Sequence, residues 1–421
     1  MLKLFSWLLA VCLVFGGRAQ NSWVIADVNV IPMDRDTVLK HRDVYIQKGI
    51  IISMVKHGAG LPKTIPVINA SGKYLMPGLV DMHVHLPDGS EPIGMRQVFD
   101  MYLQCGVTGL RSMRGEAFHP ALRDSIEAGY IKAPNLYISS SLPFKDSLLS
   151  NEAIAAFIDT IKTRRYDFIK YLGGIGEERM AKIVGLCRQE HIAIAGHAYK
   201  DLQGSIRYGF RSVEHIGPLA NAYKKDSLNI ASLLDSMVER NITFCPTASW
   251  SMIVGFQYSE EQLHSRYGMN RIDTALMHAW DRSFSDYKTR WQKSGEERRK
   301  EYAAKTALDM TRLAAIIKLM QQKGVNVVLS PDNAMYNVPG YAMYEEMKIY
   351  QSLGMSPYQV LRAATHNAAV FFDQSKWWGS VSAGKNADLV LLDKNPLGNL
   401  ENIKTVNTTL VHGQILYRKK K

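Results

Sequence analysis

Two histidines two residues apart, His83 and His85, close an apolar run that begins Gly78-Leu79-Val80. In a β-strand, residues i and i+2 share a face. Both imidazoles can therefore reach one point at the carboxyl end of such a strand, as a metal ion requires of its first two ligands. A pair of this kind standing alone is often a surface feature or chance. Here other polar residues also end strand-like runs: Lys170 in Ile169-Lys170-Tyr171, His197 in Gly196-His197-Ala198-Tyr199, His215 in Val213-Glu214-His215, and Asp332 in Ser330-Pro331-Asp332-Asn333. Each has a plainer reading by itself. A strand-end histidine is often only a satisfied polar group, a lysine there snorkels to water, and an aspartate after a strand caps a helix. Their joint order argues for chemistry.

The elements that must position them can be counted. Strand-like runs fall at Leu79–His85, Val107–Ser112, Leu136–Ser140, Asp167–Leu172, Ile192–His197, Ser212–His215, Ile242–Pro246 and Val325–Asp332, with helical stretches such as Glu177–Glu190 and Ile230–Arg240 between them. This rhythm reads as parallel β/α architecture. Eight units are what a (β/α)8 TIM barrel needs, and functional groups in that barrel gather at the carboxyl ends of the strands. Four histidines, a lysine and an aspartate would then converge on one mouth. The longest gap, residues 252–320, reads as a polar, aromatic-rich helical insertion, either a lid over the mouth or a decorative helical pair.

Short alternating β runs occupy residues 22–70 and return at Ala387–Leu392 and Thr409–Tyr417. Two such halves reassemble most simply into one small flanking β-sandwich domain, residues 20–76 with 368–421, around a barrel of residues 77–367. At 421 residues and 46% hydrophobic, the chain can bury a large core. Residues 1–19 have the pattern of an export signal, with Lys3, an apolar stretch and Gly17-Arg18-Ala19. Export to the periplasm or the extracellular space is therefore expected, with no membrane span after signal removal. Losing Lys3 and Arg18 lowers the formal net charge of +12 by two. The remaining basic residues are scattered apart from the Arg418–Lys421 tail, so no nucleic-acid partner is expected. Cys105, Cys187 and Cys245 sit in apolar surroundings and suggest no disulfide scaffold.

The stretches Tyr74–His85, Asp167–Lys170, Gly196–Tyr199, Val213–His215 and Gly384–Asp393 together resemble the amidohydrolase superfamily, in its imidazolonepropionase-like and Xaa-Pro dipeptidase-like branch. The resemblance covers essentially the whole mature chain. It implies a distorted (β/α)8 barrel with two divalent metals, zinc as a rule. His83 and His85 would hold one metal with Asp332, and His197 and His215 the other. Lys170, carboxylated by CO2, would bridge both, since a carbamate is anionic and bidentate where an ammonium cannot ligate. Two metals sharing a water lower its pKa. Asp332 would carry the proton from that bridging hydroxide's parent water to the leaving nitrogen. The chain departs from the family around the aspartate, with Ser330-Pro331 before it and Asn333 after it.

The expected reaction is hydrolysis of an amide carbon–nitrogen bond in a small molecule, such as a dipeptide, an N-acyl amino acid or a cyclic amide. Peptide and lactone bonds, zinc or another divalent metal, and the oligomeric state stay open. Arg111, Arg114 and Tyr199 are candidates to hold a substrate carboxylate, with ordinary loop ion pairs as the equal alternative. Glu214 is expected on the face opposite His215, in a structural role. The rival functions are a one-metal deaminase of the same fold, which needs no bridging lysine, and a non-catalytic envelope binding protein, which would hold no metal. Mass spectrometry of the native protein should find its amino terminus near Gln20, and an intact Met1–Ala19 segment would overturn the export expectation.

Overall fold

The computed structural model describes residues 22–60, 65–90, 92–142, 150–293 and 295–420. The expected signal segment lies outside these residues. The strands are β1 (Trp23–Val30), β2 (Leu39–Gln47), β3 (Ile50–Lys56), β4 (Val67–Asn69), β5 (Tyr74–Pro77), β6 (Leu79–Val84), β7 (Val107–Ser112), β8 (Asn135–Ser141), β9 (Phe168–Tyr171), β10 (Ala193–Gly196), β11 (Ser212–Glu214), β12 (Thr243–Cys245), β13 (Leu389–Leu392), β14 (Val406–Val411) and β15 (Gln414–Arg418).

Strands β6 to β12 form one parallel sheet in chain order. Residues 325–329 close it into a ring. Val328 N donates to Phe244 O at 3.0 Å, and Met82 N donates to Leu329 O at 3.2 Å. The expected eighth strand is only this short bridge, centred on Val327. Pro331 has no N–H to extend the ladder, and Asp332 turns away with φ of +60°. Helices cover the outside, burying faces such as Val98, Phe99 and Tyr102 or Leu313, Ile316, Ile317 and Met320. Inside, Met82, Phe168, Ala195, Cys245 and Val328 pack on Ala368, Ala369 and Phe371 of the helix His366–Phe371. The barrel is thus a packed core beneath its mouth, not a pore.

The two chain ends build an eight-stranded sheet in the order β15-β14-β13-β5-β1-β2-β3, with β4 beside β1. The strands expected as a flanking β-sandwich domain make one continuous hydrogen-bonded path around a core of their own. Continuity comes from β1, which pairs with β4 through Val24–Ala26 and with β5 through Asn29–Val30. The switch falls at Asp27, whose φ of +54° breaks the strand's register. Ile25, Val30, Val44, Leu75, Leu389 and Leu391 fill this sheet's own core.

The described residues of 252–320 are mostly helical and include the long helices Thr274–Lys293 and Glu296–Lys323. Phe284 and Trp280 of the first pack on Tyr336 of the loop after the eighth bridge, at 5.7 and 6.1 Å between rings.

One glycine is required by the barrel. Gly196 has φ of +134°, and a Cβ there would lie 2.3 Å from Tyr171 O and 3.0 Å from Lys170 Cδ. Its backbone region alone makes Gly196→Ala cost about 1–3 kcal/mol, and the contact with a carbonyl adds to that. Urea unfolding of the metal-free variant should show this loss, while Gly185→Ala, at a helical site with open space around it, should not.

Candidate active site

The end of β6 delivers His83 and His85. His83 is 1% exposed. Its Nδ1 donates to Glu214 Oε2 at 2.9 Å, because an ionised carboxylate can only accept. That fixes the tautomer and leaves the Nε2 lone pair facing the mouth, the arrangement in which a carboxylate holds a metal-ligating histidine. Lys170 Nζ lies 3.4 Å from this Nε2, and Asp332 Oδ2 lies 3.9 Å from it. His85 Nε2 is 3.3 Å from Asp332 Oδ1. His197 Nδ1 donates to Leu172 O at 3.0 Å, and its ring lies 5.1 Å from that of His215. His215 Nδ1 is 2.7 Å from Thr247 Oγ1 and 4.0 Å from Asp332 Oδ2. The six residues expected at the mouth are therefore gathered at one place. Among them, His83, His215 and Asp332 each offer a ligand atom within 4.8 Å of the others.

Strand alternation would set Glu214 and His215 on opposite faces. The structure corrects the expectation for Glu214. His215 has φ of +67°, so the backbone turns a corner between the two residues. Glu214 points into the barrel and His215 still reaches the mouth. Glu214 accepts from Arg111 Nη2 at 2.8 Å, from Ser212 Oγ and from His83. Cys245 completes a second ligand-like trio with His83 and Glu214, but burial holds its thiol protonated and it hydrogen-bonds to Glu214.

Arg111 is also not where a substrate contact would be. It is fully buried beneath the histidines, bonded to Met82 O, Ser212 and Glu214, with Phe371 4.6 Å below its guanidinium. Tyr199 is buried too, packed outside the ring against Tyr171, Tyr208 and Phe210. Arg114 does stand on a loop at the mouth. It is half exposed and paired with Asp88 at 2.7 Å and Glu116 at 3.0 Å, the ordinary loop ion pair.

Sequence reasoning flagged Ser330-Pro331 and Asn333 around Asp332 but assigned them no role, and it missed Asn337. Ser330 Oγ donates to the buried Asp81 at 2.5 Å and accepts from Asp332 N at 3.1 Å. Asn333 clips the backbone of His85, accepting from its N–H at 2.5 Å and donating to its carbonyl at 3.1 Å. Asn337 Nδ2 donates to Pro331 O at 2.8 Å and Asp332 O at 3.0 Å. The unusual Pro331 and Asn333 thus belong to a tightly held turn. Their signal in the sequence was their departure from the family pattern beside Asp332.

Charge states follow from this packing. Burial pushes His215 down to about 4. Burial and the neighbouring Lys170 hold His83 well below the usual imidazole range, and burial also lowers His197. Burial alone would raise Asp332, but the imidazoles of His83, His85 and His215 overcome it and hold the carboxyl below its ordinary range. Burial lowers Lys170 to about 8. At neutral pH the site therefore presents neutral imidazole nitrogens beside an ionised carboxylate, the states in which these groups bind cations.

Polar side chains from several strand ends around one barrel mouth define a (β/α)8 enzyme. The chain belongs to the amidohydrolase family, whose model matches residues 74–416, and as a member it is a hydrolase acting on carbon–nitrogen bonds. It is 22% identical over 432 residues to a 5-methylthioadenosine/S-adenosylhomocysteine deaminase of Caldanaerobacter subterraneus subsp. tengcongensis, covering 94% of this chain and 93% of that protein. It is 34% identical over 119 residues to an imidazolonepropionase of Shouchella clausii, which is 26% of each chain. Among solved structures it is similar to a Xaa-Pro dipeptidase with bound methionine, with a TM-score of 0.71 and 17% identity over 94% of this chain and all of the other. It is also similar to an A. niger ochratoxinase, with a TM-score of 0.69 and 19% identity over 94% and 95%. At these identities the two structures speak to the fold alone.

Removing one partner from a buried, hydrogen-bonded ion pair costs about 3–5 kcal/mol. Arg111→Met should destabilise the protein by that amount in urea unfolding. Arg114→Met, at the exposed pair, should fall within about 1 kcal/mol of wild type.

Proposed function

We propose that the protein is a binuclear metal-dependent hydrolase of an amide carbon–nitrogen bond in a small molecule. The observation that carries this reading is the gathering of His83, His85, Lys170, His197, His215 and Asp332 at one mouth. The donor set suits divalent metals. It consists of imidazoles and an anionic carboxylate, with Glu214 and the Leu172 carbonyl orienting two of the rings from behind. His83, His85 and Asp332 would hold one ion, and His197 and His215 the other. Lys170 is 1% exposed and aimed at His83. Depressed to about 8, it is partly a free amine near neutral pH, the form that adds CO2 to give a carbamate and a released proton. That carbamate would bridge the two ions.

A divalent metal pair, when bound, supplies polarisation of the scissile carbonyl and a more acidic attacking water. The chain's own part is proton transfer and orientation. Asp332 accepts the water's proton and returns it to the leaving nitrogen. The clip of Asn333 on His85 and the Ser330 hydroxyl keep the carboxylate at its station. Dipeptides, N-acyl amino acids and cyclic amides are the substrate classes proposed. The family contains deaminases, such as the full-length relative above. Lys170 favours the two-metal reading over a one-metal deaminase, because a lone ion leaves a buried lysine among the ligands without a purpose. We propose that the enzyme works outside the cytoplasm, on the strength of its leading nineteen residues.

Metal analysis should return two ions per chain, and a screen of the loaded protein against dipeptide, N-acyl amino acid and cyclic-amide libraries should find turnover. One ion per chain with ammonia release would favour the deaminase. Lys170→Ala should lose metal and nearly all turnover, with partial recovery in bicarbonate or short carboxylic acids. Two retained metals and normal turnover without additives would remove the carbamate. Asp332→Asn keeps the side chain's size but cannot carry the proton, so turnover should fall about 10²–10⁴-fold. Turnover within about threefold of wild type lies outside that range and would move the proton to another group.

A further inference from the structure

One buried side chain of the helical insertion, Arg266, reaches toward the site. Arg266 follows the short helix Glu260–His264 and is 7% exposed. Its Nη2 donates to Asn337 Oδ1 at 2.7 Å and Ser249 Oγ at 2.6 Å, and its Nε donates to Tyr336 O at 3.2 Å. Tyr258, from the same insertion, lies over the guanidinium at 5.2 Å. Asn337 turns its other end to the site, with its amide on the carbonyls of Pro331 and Asp332. Ser249 Oγ also donates to that oxygen at 2.8 Å, so Arg266 and Ser249 together fix which end of the amide faces the turn, because an amide has one accepting and one donating end.

The turn needs holding. Asp332 sits at φ of +60° and Tyr336 at +58°, conformations that persist only when the surroundings over-determine them. Tyr336 is itself clasped by the insertion, its hydroxyl on Asp281 at 2.8 Å and its ring against Trp280 and Phe284.

From this geometry we infer that Arg266 is a positioning residue for Asp332, acting through Asn337, and that the insertion is a brace for the aspartate's turn. The inference rests on the reading of Asp332 as a metal ligand. Losing an outer partner of a ligand costs ~10–100-fold in metal affinity, so Arg266→Ala should weaken Co²⁺ binding by that factor. It should also alter the visible spectrum of the Co²⁺-loaded enzyme, and millimolar methylguanidinium should restore both.

The control is the same substitution made on Asp332→Ala, which removes the ligand oxygen. If Arg266 acts through Asp332, Arg266→Ala should then change Co²⁺ affinity by no more than about twofold, the scatter of an uncoupled pair. Arg266→Lys keeps the charge but cannot span three acceptors; it carries the same comparison if the alanine variant fails to fold. Wild-type Co²⁺ affinity and spectrum in both Arg266 variants would overturn the brace, and so would an equal loss in both backgrounds. If Asp332→Ala binds Co²⁺ as wild type does, the ligand reading itself falls, and the brace has no ligand to position.

Discussion

A carboxylate buried in the middle of a barrel is tolerable only when its charge is answered, and the site is built around one such answer. Glu214 is wholly out of water. Burial would push its proton back on, but Arg111 and His83 hold it firmly ionised. An unpaired ion in that place would be very costly, so Arg111 must lie beneath the histidines. Phe168 and Phe371 must then pack about its flat guanidinium, and His83 must give its Nδ1 proton inward. The upward-facing lone pair on Nε2 is a consequence of that inward bond. One ion pair therefore sets the floor of the barrel, the tautomer above it and the charge the mouth can accept.

The second constraint is in the backbone. A strand shows alternate residues to alternate faces, yet Glu214 and His215 both serve the centre. The left-handed corner at His215 resolves the conflict, and the one at Asp332 ends the eighth bridge where the carboxylate is needed. At Gly196 the same kind of corner brings the chain so close to β9 that no side chain fits. Such corners are held by neighbours rather than by local preference. This is why the turn around Asp332 carries so many side chain to backbone bonds.

Much of this was readable in the chain itself. The apolar runs ending in His83, Lys170, His197 and His215 gave strands whose ends fall within a residue or two of those observed. Their carboxyl-end polar residues meet because parallel strands of one barrel share a mouth. What pattern could not supply was direction after a strand stops. Periodicity put Glu214 outward, when the next residue's positive φ leaves it inward. It placed Arg111 and Tyr199 near the mouth by adjacency alone, when one lies in the barrel's interior and the other outside the ring. Asn337 follows Asp332 by five residues but carries no motif, and Arg266 lies far from both in the chain. Their places depend on how the insertion packs, which is a long-range fact that no local window contains.

The chain-end sheet has a bearing on how the molecule comes into being. Strand β5 leads into β6 with only Gly78 between them, and its partner on one side is β13, aligned from Leu389 with Pro77 to Leu392 with Tyr74. Gly78 N itself donates to Asp388 O at 2.9 Å. The strand that bears His83 is thus moored to residues more than three hundred positions later. Domains emerging from a ribosome fold from their amino-terminal side, but this mooring cannot form until residues 388–392 have been made. The nascent barrel must wait with its first strand unfastened, its edge open to wrong partners. A chain broken off before β13 would leave that first strand without its anchor, however complete its list of histidines.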